Sequence, residues 1–246
     1  MRISTIHAHP DDAEILAGGT LALLSALGHD ITIVTLSAGD CGSALHGPDQ
    51  IAAIRKAEAA EAAAVINAQY LWGGFHDLAI FSDDASRRSV TGLLRDLRPD
   101  VVLTAAPSDY LCDHEATSQL VRDACFAAPI PNYATPSANP PLAAIPHLYF
   151  MDPIDQRDRD GNLTLPDFTV DVASTMDIKT AMLAKHRSQR EWLQQQHGMD
   201  DYLQQMQDWT RACGTRAGIT FGEGFRQYKI HPYPHEPLLQ QLLAAR

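Results

Sequence analysis

The chain runs in two rhythms. Residues 2–8 alternate apolar and polar positions around Ile3 and Ile6, the period of a half-buried strand. Ala13 to Leu27 then places Ile15, Leu16, Leu21, Leu23 and Leu24 at helical spacing, and Gly28 predicts its end. Inside that helix the pair Gly18-Gly19 lowers helix propensity by about 1 kcal/mol per residue relative to alanine, which predicts close packing or the approach of a ligand there. Ile31 to Leu36 predicts a buried strand, Ser37 to Ser43 a flexible loop, and Pro48 to about Asn67 a helix rich in Ala and Glu. A third strand follows at Tyr70-Leu71-Trp72, a third helix at Ser86 to Leu97, and a fourth strand at Val101 to Thr104 after the turn Pro99-Asp100.

Strands alternating with helices predict an α/β fold, with a mostly parallel sheet, right-handed crossovers and helices on both faces. Ligands of such sheets bind outside the carboxyl ends of the strands. That rule gathers three loops at one edge: His9 to Glu14, Ser37 to Ser43, and Pro107 to His114. Further along, a helix is expected from about His114 to Ala128, then a proline-rich loop, Pro129 to Pro146, expected to shape specificity. His147 to Met151 and Phe168 to Val172 read as strands, and Met176 to Gln196 and Asp200 to Cys213 as helices. Phe225 to Ile230 is expected to return to the sheet edge. No repeat interrupts this order, so one domain is expected over 1–246, with a core over about 1–152 and an extension over about 153–246.

Composition narrows the function by exclusion. A formal net charge of −11 opposes phosphate backbones, so nucleic acid is set aside as a partner. No stretch approaches the roughly 20 apolar residues of a membrane span. Cys41, Cys112, Cys125 and Cys213 form no CxxC pair, which argues against a thiolate zinc cluster and a disulfide scaffold and for a reducing cytoplasm. Met1-Arg2 leads straight into a strand with no signal-peptide pattern.

The chemistry concentrates in His7-Ala8-His9-Pro10-Asp11-Asp12-Ala13-Glu14, at the junction of the first strand and helix. Imidazole and carboxylate so close in sequence converge on one divalent ion if the backbone turns at Pro10. Two adjacent aspartates point different ways, so one can ligate while the other acts as a general base. An aspartate at a strand-to-helix junction also serves simply as an N-cap. The second loop, Pro107 to Glu115, offers His114 as a third ligand. With His9 and Asp12 it makes the three N or O donors of a catalytic zinc that keeps one position open. Asp109 or Asp113 would orient a ligating imidazole through its other nitrogen, or Asp113 would merely cap the helix. A His₂Asp set also accepts Fe²⁺, Co²⁺ or Mn²⁺. The glycine-rich phosphate turn of dinucleotide-binding oxidoreductases does not follow the first strand.

Ala8-His9-Pro10-Asp11-Asp12 with Glu14 and Gly18-Gly19-Thr20 downstream resembles the signature of the PIG-L/LmbE family of zinc-dependent N-deacetylases. Arg55-Lys56-Ala57-Glu58, Asp109 to His114, and Lys179 to Gln189 with His186 extend the resemblance. It implies a Rossmann-like three-layer αβα sandwich, Zn²⁺ held by His9, Asp12 and His114, and Asp11 as general base. It also implies removal of an N-acetyl group from an amino sugar or GlcNAc-containing small conjugate, and a homo-oligomer such as a trimer or hexamer.

Many family members carry a second histidine three residues before the ligand, where this chain has Leu111. Tyr110 is a candidate to replace it through its hydroxyl, and His231 or His235 from the C-terminal stretch are others. Arg55 is assigned to substrate recognition, with an intrahelical pair to Glu58 as the competing role. Asp77, after the third strand, is a candidate for a sugar hydroxyl. The loss at 111 also admits a non-catalytic relative that binds carbohydrate and keeps zinc, although such a protein has no use for Asp11.

Overall fold

The computed structural model describes residues 1–197 and 202–244. Five parallel strands open the chain: β1 (Arg2–His7), β2 (Asp30–Ser37), β3 (Gln69–Phe75), β4 (Val101–Thr104) and β5 (His147–Met151). Four helices connect them: α1 (Asp12–Ala26), α2 (Pro48–Ala64), α3 (Asp84–Leu97) and α4 (Cys112–Ala127). The sheet has seven strands in the order β3-β2-β1-β4-β5-β7-β6, completed by β6 (Phe168–Asp171) and β7 (Gly222–Gln227). Chain order reverses between β1 and β4. The carboxyl ends of those two strands therefore flank the crevice where such sheets hold ligands.

The central strands are buried on both faces, so β4 and β5 read as near-continuous apolar runs. β1, expected to be half-buried from its alternation, is buried on both faces too, with Ser4, Thr5 and His7 inside. Val101, Leu103, Tyr149 and Met151 face the cluster that includes Leu21 and Leu24 of α1. Val102, Leu148 and Phe150 face the opposite cluster, with Leu94 of α3 and Leu120 and Val121 of α4. At about 1.5–3 kcal/mol for each large side chain buried, these two layers dominate the stability of the sandwich. No helix among the described residues is long and apolar enough to cross a membrane.

The C-terminal part departs from expectation in three places. The strand expected at the edge is β7, which lies between β5 and β6 and runs antiparallel to both. The expected helix over 176–196 is two, α5 (Met176–Leu183) and α6 (Arg187–His197), and the break lets His186 sit buried with Nε2 3.4 Å from Glu14 Oε1. The expected start of the next helix at Asp200 lies outside the described residues, which resume with α7 (Tyr202–Arg216). A short α8 (Leu238–Ala244) follows β7.

The Gly18-Gly19 pair is explained by packing. A Cβ on Gly19 would lie 2.6 Å from Val172 Cβ, and one on Gly18 would lie 3.1 Å from Lys179 Cγ. Lys179 Nζ is 2.6 Å from Glu223 Oε1, both residues are buried, and the Glu223 carboxylate also accepts the N–H groups of Gly19 and Thr20. The glycines admit an internal ion pair, not a ligand.

The loop over 129–146 also has a different role from the one expected. It leads from α4 into the amino end of β5 and runs along α3 from its first turns, where Arg88 donates to the Ala134 carbonyl and lies over the Tyr133 ring, to its last. There Arg95 of α3 donates to the carbonyls of Ala128 and Ile130, and Asp96 accepts from Ser137 and Asn139. It is a packed strap on α3.

Candidate metal centre

At the end of β1 the chain makes a sharp turn through Pro10. Asp11 takes a left-handed backbone, φ 101°, and its carbonyl accepts the first helical N–H, from Ile15, at 2.9 Å. A non-glycine residue there stores about 1–3 kcal/mol of strain, which the surroundings must enforce. Arg55 supplies part of that: its Nη2 donates to the Pro10 carbonyl at 2.9 Å and its Nη1 to the Gly39 carbonyl at 3.4 Å. Gly39 leaves room for this, since a Cβ there would sit 2.2 Å from Arg55 Nη1. The Asp11 side chain makes no capping hydrogen bond, so the bland reading of this aspartate fails.

Three side chains meet in front of the turn. His9 Nδ1 lies 3.3 Å from His114 Nε2 and 3.4 Å from Asp12 Oδ2, and His114 Nε2 lies 3.4 Å from Asp12 Oδ1. Ligands about 2.0–2.1 Å from one tetrahedral ion stand about 3.3 Å from each other, the spacing of each of these pairs, with Asp12 facing His9 through Oδ2 and His114 through Oδ1; two imidazoles and a carboxylate are donor types that suit a divalent cation. Each imidazole has a carboxylate at its other nitrogen. His9 Nε2 is 3.2 Å from Asp113 Oδ2, and His114 Nδ1 is 3.0 Å from Asp109 Oδ1. Leu111, not Asp113, stands at the N-cap of α4.

His7 is a residue that sequence reasoning missed. It is fully buried, its Nδ1 lies 2.5 Å from Asp12 Oδ2, and the same atom faces the Ala8 N–H at 2.8 Å. His7, Asp12 and His114 also offer ligand atoms within 4.8 Å of one another, so two triads overlap here. The alternation of β1 carried the only signal, because a histidine at the last inward position of a central strand needs a polar partner.

The electrostatics follow from burial and pairing. Burial opposes charge on His9, yet hydrogen bonds to Asp113 and Asp12 outweigh it and raise its pKa to about 9. For His114 burial is likewise overcome, by Asp12 and Asp109, and the value rises to about 10. Burial would raise Asp12, but His7 and His114 hold it well below the usual carboxylate range. Burial, opposed by Arg55, raises Asp11. Two adjacent carboxylates are thus driven apart, the pattern of a ligand beside a proton-transfer group.

The remaining expected residues are distributed unevenly. Tyr110 is exposed and edge-on to His114, ring centroids 5.5 Å apart, so it stands at the mouth of the cluster. Asp77 is close, 3.9 Å from His9 Nε2, but its carboxylate already accepts from Ser37 Oγ at 2.5 Å and from the Cys41 N–H at 3.0 Å, where it ties two loops together. Arg55 is buried and spent on backbone carbonyls, and it is not paired with Glu58, which accepts from Ser188. His231 and His235 do not reach the centre. Antiparallel β7 carries the chain toward the amino end of β5, where Tyr228 N–H bonds Leu148, and both histidines are exposed there. A groove of 530 Å³, lined in part by Leu78, Phe81, Pro107, Asp113 and Gln119, borders the cluster through Asp113.

Comparison with known proteins bears on this centre. Residues 4–125 match the family model PIG-L, described as GlcNAc-PI de-N-acetylase. A 1D-myo-inositol 2-acetamido-2-deoxy-alpha-D-glucopyranoside deacetylase of Rhodococcus erythropolis is 27% identical over 161 residues, covering 52% of this chain and 55% of that one. The chain spans about half the length of the curated relatives it matches most strongly. Among solved structures, the N,N'-diacetylchitobiose deacetylase of Pyrococcus horikoshii aligns with TM-score 0.79 at 23% identity, covering 96% of this chain and 88% of that one. The 4-carboxy-2-hydroxymuconate hydratase of Pseudomonas putida KT2440 aligns with TM-score 0.77 at 22% identity, covering 96% and 99%. At such identities these two establish the shared fold alone.

Proposed function

The chain belongs to the PIG-L family through residues 4–125, and from that premise we propose that it removes an N-acetyl group from an amino sugar or GlcNAc-containing small conjugate. His9, Asp12 and His114 hold a divalent cation, Zn²⁺ or an ion of similar demand such as Fe²⁺ or Co²⁺. The observation that carries this reading is the approach of the two imidazole nitrogens to each other at 3.3 Å and of each to one oxygen of Asp12 at 3.4 Å, with a carboxylate at the far nitrogen of each imidazole. His7 is assigned to orienting Asp12, because its Nδ1 already faces the Ala8 N–H and the Asp12 carboxylate.

A divalent cation bound there supplies a Lewis acid that polarises the amide carbonyl and acidifies water. Asp11 takes the proton from the attacking water and returns it to the departing amine nitrogen, a task suited to a carboxyl whose pKa burial has raised. Asp113 and Asp109 fix the imidazole planes. Tyr110, edge-on to His114, is assigned to offering its hydroxyl to the developing oxyanion, in place of the imidazole absent at Leu111. The sugar lies along the groove through Leu78, Phe81 and Gln119. Residues 1–246 are read as one domain, a reading supported by β6 and β7, which complete the sheet of β1 to β5.

A second reading rests on Leu111, which leaves no imidazole three residues before His114 to protonate a departing amine. Hydration of an unsaturated acid, the reaction named for one protein of this fold, has no amine to protonate and would need only a base for water. The deciding experiment gives the zinc-reconstituted chain GlcNAc-inositol, diacetylchitobiose and 4-carboxy-2-hydroxymuconate in separate assays. Acetate release that a chelator abolishes is expected. Loss of the muconate absorbance without acetate from either sugar would replace the deacetylase reading with the hydratase one.

A further inference from the structure

Tyr202, the first residue of α7, is buried, and its hydroxyl donates to Asp11 Oδ2 at 2.5 Å. The ring is fixed by Ile15, Met176, Leu183 and Met206, in a small apolar cluster that joins α1, α5 and α7. A cation competes for the same carboxylate: Arg55 Nη2 lies 3.9 Å from Asp11 Oδ2. The guanidinium cannot follow, because it is held by the carbonyls of Pro10 and Gly39. The carboxylate can turn toward it, and a guanidinium tends to take both oxygens of a carboxylate. A carboxylate so paired has one lone pair of each oxygen taken by the cation and offers water less.

We propose that Tyr202 is the positioning residue for Asp11: its hydroxyl holds Oδ2, keeps the carboxylate out of a two-oxygen pair with Arg55, and reserves Oδ1 for the transferred proton. The role in turnover rests on Asp11 being the proton-transfer group of the proposed function. The hydrogen bond itself does not, and it is tested without substrate.

Proton NMR spectra of the unliganded chain are compared with those of Tyr202→Phe, which keeps the ring and loses only the hydroxyl, and of Asp11→Ala. A far-downfield exchangeable resonance is expected in the parent chain and absent from both variants, with the tryptophan indole signals of all three unchanged. No such resonance in the parent, or its persistence in Tyr202→Phe, overturns the proposal. On whichever substrate the parent turns over, Tyr202→Phe should lower kcat by about 10–100-fold at unchanged KM and metal content, the scale of a lost hydrogen bond to a charged group. An unchanged kcat, or a loss confined to KM, also overturns it. Should the parent chain release no acetate, the deacetylase reading fails while the resonance still decides the role of Tyr202.

Discussion

His9 Nε2 and Asp113 Oδ2 lie 3.2 Å apart, and the same carboxylate oxygen accepts the Leu78 N–H at 2.7 Å. Asp113 thus links an imidazole of the metal centre to the loop after β3, where Leu78 takes a left-handed backbone, φ 58°. A carboxylate behind a ligating imidazole fixes the ring plane and raises its basicity. Asp113→Ala is expected to weaken zinc binding by about 10–100-fold, read by competition with a chelating dye. Unaltered affinity would remove Asp113 from the centre.

The two overlapping triads make opposite forecasts. With His9 as the ligand, His9→Ala should lose stoichiometric metal after dialysis, while His7→Ala retains it at roughly tenfold lower affinity. Metal analysis of the two dialysed variants tests this. The reverse pattern would make His7 the third donor.

Lys179 and Glu223 form a buried ion pair that joins α5 to β7 and closes on the backbone of α1. Removing one partner leaves the other charge buried and unpaired, which costs about 3–5 kcal/mol. Lys179→Met and Glu223→Gln should each lower the urea midpoint of unfolding accordingly. A loss under about 1 kcal/mol, the range of exposed pairs, would contradict the description of this pair as internal.

Asp152, just after β5, is buried with neither carboxylate oxygen hydrogen-bonded among the described residues. Burial outweighs the attraction of Arg226 and Arg216 and pushes its pKa up to about 6. A native value above the unfolded one, about 3.9, means the folded chain binds the proton more tightly. Its stabilising contribution is therefore full below about pH 4 and is lost as pH rises through about 6. Asp152→Asn should gain on the parent chain in Tm between pH 4 and pH 7. A difference that is flat or falls across that window would contradict the assignment.

Much of this architecture was legible because β1 to β5 carry strict strand and helix periods. Val101–Thr104 and His147–Met151 match the predicted strands residue for residue. That His9, Asp12 and His114 approach one another was legible too, since the rule that ligands sit at the carboxyl ends of the strands gathers their loops, whereas His7, which also meets Asp12 and His114, was not. Partners supplied by distant segments were not. Tyr202 reaches Asp11 across 191 positions of sequence, and nothing local marks it. Arg55 was read as a substrate-recognition group or a partner of Glu58, and nothing local shows that its guanidinium lies beneath the Pro10 turn, a position that depends on Gly39 and Gly42 yielding space. The destination of the 129–146 loop, the amino end of β5, followed from topology that the sequence already implied, whereas its packing along α3 rests on Arg88, Arg95 and Asp96.

The central claim is that Asp11 transfers the proton at a centre held by His9, Asp12 and His114. Its most direct test is acetate release from GlcNAc-inositol by the parent chain and by Asp11→Asn, after both are loaded with zinc and their metal contents measured as equal. Acetate is expected from the parent, and a rate lower by about 10²–10⁴ in the variant. Equal rates at equal metal content would contradict it.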